Sequence, residues 1–497
     1  MTGRDSLAQL GELAVAASDR VGSQDLRREL IRIATRLEQP LQVAVAGRMK
    51  AGKSTLVNAL LGREIAPTAA TECTKVVAQY VYGDTEGVRV TPLTGTAYSV
   101  APSTAGGPPD ALGRPAEEID FITVAMTSTR RRDYTLVDTP GLDSATEGVS
   151  ATTERSLLGD PASARAVSQV DGLLYLMPHP GETDVNFLKE FASVFDGSRL
   201  GAINILGVLS KVDQLDGAGR SDPWTEARRL ATRKGDELQG YVDRVVPVSG
   251  LVAQAAQAGG YREHHTPWVR RLADADLGEL RRALRGVQRF LEADQLGLER
   301  SARAELVSTI GLWGVGQAVA AFREGTVTTV DLVAHLRRLS NIDELTGAVN
   351  GRLFDGAALV RTASALEELG HVVYRATDGA DREPLAVLSQ ELAAMRATPA
   401  LHRVTEIQVL RRFDPGRSRL SDAQRADVSR VLSESDARAK LGVSPTARLD
   451  EVRDAAAEKA QEWRGVENGP RTRRSDQAAA AVLRRTYELL ATGASHD

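Results

Sequence analysis

Apolar residues recur at helical spacing from Leu26 through Leu30, Ile33 and Leu37 until Pro40 ends the pattern, which predicts an amphipathic helix with one face in need of a partner. The period then changes: 43–46 is a short continuous apolar run, followed by a glycine-bearing turn and a helix-like stretch at 54–61. Further short apolar runs lie at 76–81, 135–137, 172–177, 203–209 and 245–248. Runs of this kind read as strands buried on both faces, and their alternation with polar or helix-like stretches predicts a mainly parallel sheet with helices on both faces. The Gly- and Pro-rich segment 101–115 reads as an exposed hairpin connection. Beyond Gly250 the strand signals stop, and helix-like segments at 277–291, 406–413, 451–463 and 478–490 take over. Leu483, Tyr487 and Leu490 form an i, i+4, i+7 stripe that matches the one near the N-terminus, so the two ends are expected to pack together.

A chain of 497 residues is too long for one ordinary core. The pattern divides it into N-terminal neck helices at 1–40, an α/β domain at 41–295 and a helical stalk or neck region at 296–497. A formal net charge of −4 supplies no strong field towards nucleic acid, so no nucleic-acid partner is expected. The basic runs at 130–132 and 471–474 read as solvated faces, either of which could meet a lipid phosphate. One cysteine, Cys73, cannot close an intramolecular disulfide and fits a reducing compartment. The first twenty residues lack the basic start and apolar run of a signal peptide, which predicts a cytoplasmic protein. The longest uncharged stretch, 306–322, is interrupted by Ser308, Gly311, Gly314, Gly316 and Gln317 and falls short of the ~20 apolar residues of a spanning helix. It reads as a buried helix with close neighbours.

The chemistry is concentrated in the first half. Gly47-Arg48-Met49-Lys50-Ala51-Gly52-Lys53-Ser54 fits G-x-x-x-x-G-K-[ST] between a strand and a helix, a phosphate-binding loop. Its backbone N–H groups and the helix start at Ala51, Gly52 and Thr55 face phosphate oxygens, Lys53 reaches the β- and γ-phosphates, and Ser54 is placed to bind Mg²⁺. Asp138-Thr139-Pro140-Gly141 follows a strand, where Asp138 can meet the Mg²⁺ shell and the Gly141 N–H the γ-phosphate. Ser210-Lys211-Val212-Asp213 resembles the [NT]-K-x-D element that reads guanine; Asp213 accepts from N1–H and the 2-amino group, which selects GTP and GDP over adenine nucleotides. Ser210 stands where Asn or Thr is usual, which puts the bracing bonds from that position in question. Ser249 and Gly250 end a strand whose backbone approaches the guanine oxygen. Between the first two motifs, Thr74 is favoured over Thr71 as the switch threonine on Mg²⁺ and the γ-phosphate.

The order and spacing of these elements resemble the bacterial dynamin-like GTPases, most of all the isoniazid-inducible dynamin-like proteins of mycobacteria and their actinobacterial relatives. The resemblance rests on 47–60, on Ala66-Pro67-Thr68 through Thr71-Glu72, on 245–251 and, in the second half, on Ile310-Gly311-Leu312-Trp313-Gly314-Val315. It implies a dynamin-type G domain with a helical stalk, GTP hydrolysis with Mg²⁺, and association as a homodimer or as a heteromer with a second dynamin-like protein. Contact with membrane lipid at the inner face of the cell membrane is also implied. Leu142 occupies the place where many GTPases carry a water-orienting glutamine; backbone groups and Thr74 are expected to position water, with turnover slow until another subunit completes the site. Lys50 sits where dynamins hold a monovalent cation, and its ammonium could replace that cation. Two other readings compete with this one: a low-turnover regulatory partner in a heteromeric pair, and a ribosome-associated GTPase, which would normally carry a basic RNA-binding module.

Overall fold

The computed structural model describes residues 3–48, 50–67, 76–127, 134–139, 170–178, 188, 204–215, 223–238, 241–375, 381–411, 413, 418–434, 436–469 and 472–493. Its centre is a nine-stranded sheet in the order β4-β3-β5-β2-β6-β1-β7-β8-β9. The strands are β1 (Leu41–Gly47), β2 (Val77–Tyr82), β3 (Gly87–Pro92), β4 (Tyr98–Val100), β5 (Ile119–Met126), β6 (Tyr134–Asp138), β7 (Gly172–Met177), β8 (Ile205–Leu209) and β9 (Val245–Pro247). From β6 through β1, β7 and β8 to β9 all pairings are parallel. Every residue of β6, β7 and β8 is buried, which is why β7 and β8 carry no charged residue and β6 carries one only at its end, Asp138.

The other half of the sheet is mixed. β2 runs antiparallel to β6 and parallel to β5, and β3 is antiparallel to both β4 and β5. The segment 101–115 therefore does not connect a hairpin: it joins β4 to β5 across the intervening β3. Nor is it wholly exposed, since Leu112 is buried and its carbonyl accepts from Tyr98 Oη at 2.8 Å.

Among the described residues most helices fall into three apolar groups; Pro223–Glu237 packs apart from them, through Trp224, Ala227 and Ala231, on Leu209 and Val212. At the N-terminus, Gly3–Arg20 and Gln24–Glu38 form a pair; Ser23 caps the second helix by accepting from the Leu26 N–H. Leu10, Leu30 and Ile33 are buried in the same cluster as Leu359, Leu366 and Leu369 of the helix Phe354–Arg375. Among the described residues the two stripes, expected to pack together, lie in different apolar clusters. Leu483, Tyr487 and Leu490 instead pack with Trp463, Val431 and Leu410 in a separate C-terminal cluster, built on the helices Leu449–Glu467 and Arg474–Ala491. Each stripe is satisfied by helices nearer to it.

The third group joins the helices Gly250–Gln257, His265–Asp274, Arg300–Arg323 and Thr329–Ser340 around Val252, Leu272, Phe290, Leu306, Ile310 and Leu336. Packing thus runs continuously past residue 295. The helix-like segment 277–291 is two short helices, Leu277–Ala283 and Val287–Leu291. Helix Arg300–Arg323 has the length and composition of a membrane span by those measures alone, yet Leu306, Ile310, Val315, Ala318 and Val319 are buried. It breaks at Gly311, where φ is 70° and ψ 164°.

Candidate functional site

β1 ends at Gly47 with φ 154°, and a Cβ there would lie 2.7 Å from the Leu176 carbonyl oxygen of β7, so only glycine lets the chain leave the sheet at this point. The loop then turns tightly. The Ala51 N–H donates to the Arg48 carbonyl at 3.1 Å, Lys50 and Gly52 are left-handed, and the helix Lys53–Leu61 starts directly after Gly52. Lys53 Nζ donates back to the carbonyls of Gly47 at 3.2 Å and Arg48 at 3.4 Å, which holds its charge at the mouth of the loop. Lys50 is exposed at the turn.

Asp138 is the last residue of β6 and lies beside Val45 of β1. Ser54 Oγ donates to its Oδ2 at 2.9 Å, while its Oδ1 is buried with no hydrogen-bond partner. Burial pushes this carboxyl up to about 6, against the opposing pull of the Lys53 ammonium and the Ser54 hydroxyl. Thr139 Oγ1 donates to the Val45 carbonyl at 2.9 Å, pinning the chain as it leaves the strand.

The residues that the sequence assigns to base reading lie at the ends of β8 and β9. Ser210 Oγ donates to the Ala51 carbonyl at 2.9 Å, so the serine in place of Asn or Thr still braces the phosphate loop. Lys211 takes a left-handed conformation with φ 57°, leading into a short turn that carries Asp213. Asp213 Oδ1 accepts from Ser249 Oγ at 2.7 Å. A Cβ on Gly250 would sit 3.8 Å from Thr55 Cγ2, so the base end and the phosphate-loop helix are neighbours. Gly47, Lys50, Ala51, Gly52, Lys53, Ser54, Thr55, Asp138, Lys211, Asp213, Ser249 and Gly250 therefore gather at the carboxyl edge of β1, β6, β8 and β9, where open α/β sheets bind ligands. Thr74, Gly141 and Leu142 lie outside the described residues.

Sequence reasoning missed several neighbours of this edge. The Ser249 N–H donates to the Ser340 carbonyl at 3.1 Å, and Asn341 Nδ2 donates to the Pro247 carbonyl at 3.0 Å. Gly311, one of three glycines inside the apolar helical run 306–322, carried a signal of an irregular backbone. A second polar cleft of about 270 Å³ lies nearby, lined in part by His264, His265 and Glu305. It is not arranged as a metal site: His265 Nδ1 accepts from the Arg262 N–H at 2.8 Å, which in the neutral ring leaves the proton on Nε2, 3.3 Å from Glu305 Oε1.

Comparison with known proteins bears on the family of the chain. The dynamin family model matches residues 43–193, the segment holding the phosphate loop and Asp138. The isoniazid-induced protein IniC of Mycobacterium tuberculosis, in strains H37Rv and CDC 1551, is 34% identical over 466 residues, spanning 92% of this chain and 91% of IniC. Among solved structures, one described as an oligomerised bacterial dynamin pair for long-range sensing and tethering of membranes matches 99% of this chain and 76% of its own, at 14% identity and a TM-score of 0.33. Toc33 of Arabidopsis thaliana, as a dimerisation-deficient mutant, matches 47% of this chain and 82% of its own, at 15% identity and a TM-score of 0.24. On the strength of the extended identity to IniC and the motif-bearing match to the family model, the chain belongs to the dynamin family of GTPases.

Proposed function

We propose that this protein binds GTP at the carboxyl edge of the sheet, hydrolyses it with Mg²⁺, and couples nucleotide-dependent association to membrane attachment or remodelling. The observation that carries the nucleotide part is the joint placement of Lys53, the Ser54–Asp138 pair and the Ser249–Asp213 pair on one edge. Ser54 and Asp138 would hold Mg²⁺, with Thr74 as a further ligand. Their fit is good, because Asp138 Oδ1 is buried without a partner and its carboxyl lies in an environment that disfavours charge unless a cation stands beside it. Bound there, the ion would neutralise charge on the phosphate oxygens. Lys53 releases the loop carbonyls to meet the β- and γ-phosphates. Asp213 reads N1–H and the 2-amino group, and the Ser249–Gly250 backbone faces the guanine oxygen. Gly141 is assigned to the γ-phosphate, and Thr74 with backbone groups to the attacking water; replacing Thr74 by alanine should lower turnover more than tenfold.

Association, as a homodimer or with a second dynamin-like chain, and membrane contact draw support from family membership and not from the site. The test is GTP turnover per molecule over a wide range of protein concentration, with and without liposomes and with Lys53→Ala as blank. Turnover rising with concentration or on liposomes supports the full reading. Tight GTP binding with flat, negligible turnover would replace it with that of a regulatory subunit.

A further inference from the structure

Asp213 is flanked on two sides. Its Oδ1 takes the Ser249 hydroxyl; its Oδ2 faces Gly311, where a Cβ would sit 3.6 Å from that oxygen and 3.6 Å from Leu251 Cδ2. Gly311 is the break in the helix Arg300–Arg323, and its φ of 70° with ψ of 164° is a conformation that residues with a Cβ hold only at a cost. The break is fixed from both directions. Gly314 packs so closely on the helix Gly250–Gln257 that a Cβ there would lie 3.3 Å from Val252 Cγ2, and Trp313 meets Trp224 edge to face with ring centroids 6.5 Å apart. The following helix is tied to the same loops by the Ser340 and Asn341 bonds to Ser249 and Pro247.

Guanine presents O6, N1–H and the 2-amino group in that order along one edge. The Ser249–Gly250 end faces O6, so Asp213 Oδ1, bonded to Ser249, takes N1–H, and Oδ2 takes the 2-amino group. We propose that the backbone break at Gly311 is the outer wall of the base pocket beside the guanine 2-amino group, which makes Gly311 a positioning residue for guanine specificity. The inference rests on Asp213 as the base reader. It adds that a helix from the second half of the chain completes the pocket. At 3.6 Å an alanine methyl would make ordinary contact with the carboxylate, so its cost to the protein alone is the backbone strain at φ 70°; it takes the place beside Oδ2 that a bound amine needs.

The test compares binding of GTP, ITP and ATP to the full-length protein, to Gly311→Ala and to Asp213→Ala, with thermal melting as a check on folding. ITP carries hydrogen where GTP carries the amine. Gly311→Ala should weaken GTP on the order of tenfold and ITP by less than about threefold. Equal losses for both nucleotides, or no loss, would overturn the inference while leaving Asp213 in its role. If the wild type does not distinguish GTP from ATP and Asp213→Ala changes nothing, the base-site reading falls first and this falls with it. Should Gly311→Ala fail to fold, the wild type supplies the second measurement: GTP should change tryptophan emission more than ITP does, and Trp313→Phe should remove the difference. Identical changes with the two nucleotides, or a difference that survives Trp313→Phe, would overturn the proposal.

Discussion

Ser210 shows how one side chain can depart from a motif and keep its task. Its hydroxyl reaches the Ala51 carbonyl at 2.9 Å, so a short donor bridges the base-reading and phosphate-binding loops. Removing it in Ser210→Ala leaves a buried carbonyl short of a donor, which should cost about 1 kcal/mol and weaken GTP and GDP alike by roughly fivefold, read by nucleotide titration. Lys50 is the other departure. It holds a left-handed conformation at the exposed turn of the phosphate loop, with φ 59°. If its ammonium replaces a monovalent cation beside the phosphates, turnover should be equal in sodium and potassium salts, and strong potassium activation would refute that role. Motif residues such as Lys53 and Asp138 stand out in the sequence because phosphate and metal chemistry calls for both a residue type and a spacing. The contacts that Gly311 and Ser340 make with Asp213 and Ser249 do not, because they join parts of the chain far apart in sequence.

Elements were legible in proportion to their burial. β7 was read at its observed bounds, Gly172–Met177, since each of its residues is buried. β3, β4 and β5 were missed: they lie in the mixed half of the sheet, and partly exposed residues interrupt their apolar runs. In the C-terminal helices a buried polar cluster is equally invisible to periodicity. Lys440 Nζ lies 3.4 Å from Glu406 Oε2, which also accepts from Arg403 at 2.6 Å, while Glu406 Oε1 accepts from Thr486 at 2.6 Å. Burial brings the Lys440 ammonium down to about 8, with the Glu406 carboxylate opposing and Arg403 assisting. The folded value lies below the unfolded one of 10.5, so between these pH values the unfolded chain binds more protons. This group therefore makes the fold more stable as pH rises through that window, and its penalty is fully present below pH 8. Denaturant unfolding at pH 7.5 and 9.5 should show wild type gaining on the order of 1 to 2 kcal/mol relative to Lys440→Met.

At the scale of the whole molecule, the first forty residues and the helix Phe354–Arg375 form one joint against the amino edge of the sheet. Arg32 and Arg36 both pair with Glu368, and Arg375 pairs with Glu29 at 2.6 Å. These contacts are partly solvated and worth little each. The buried contact is different. Arg361, 4% exposed, donates to the Gln39 carbonyl at 2.8 Å and to the Arg36 carbonyl, and lies 3.7 Å from Asp171, which itself accepts from the Gln42 N–H at 2.9 Å. One guanidinium thus ties the end of the helix Gln24–Glu38, the start of β1 and the entry to β7. Arg361→Ala withdraws the charge beside a buried carboxylate and the donor from two carbonyls, and should destabilise by roughly 3 to 5 kcal/mol in denaturant unfolding. Pairing the charge loss, as Arg361→Met with Asp171→Asn, should recover part of that, because no unbalanced buried charge remains. The joint holds Gln42 at the opening of β1, whereas the nucleotide site begins at Gly47 at the strand's other end. GTP affinity of the folded Arg361→Ala protein should therefore stay within about twofold of wild type. A large loss of affinity would mean that the neck and the nucleotide site are energetically coupled through β1.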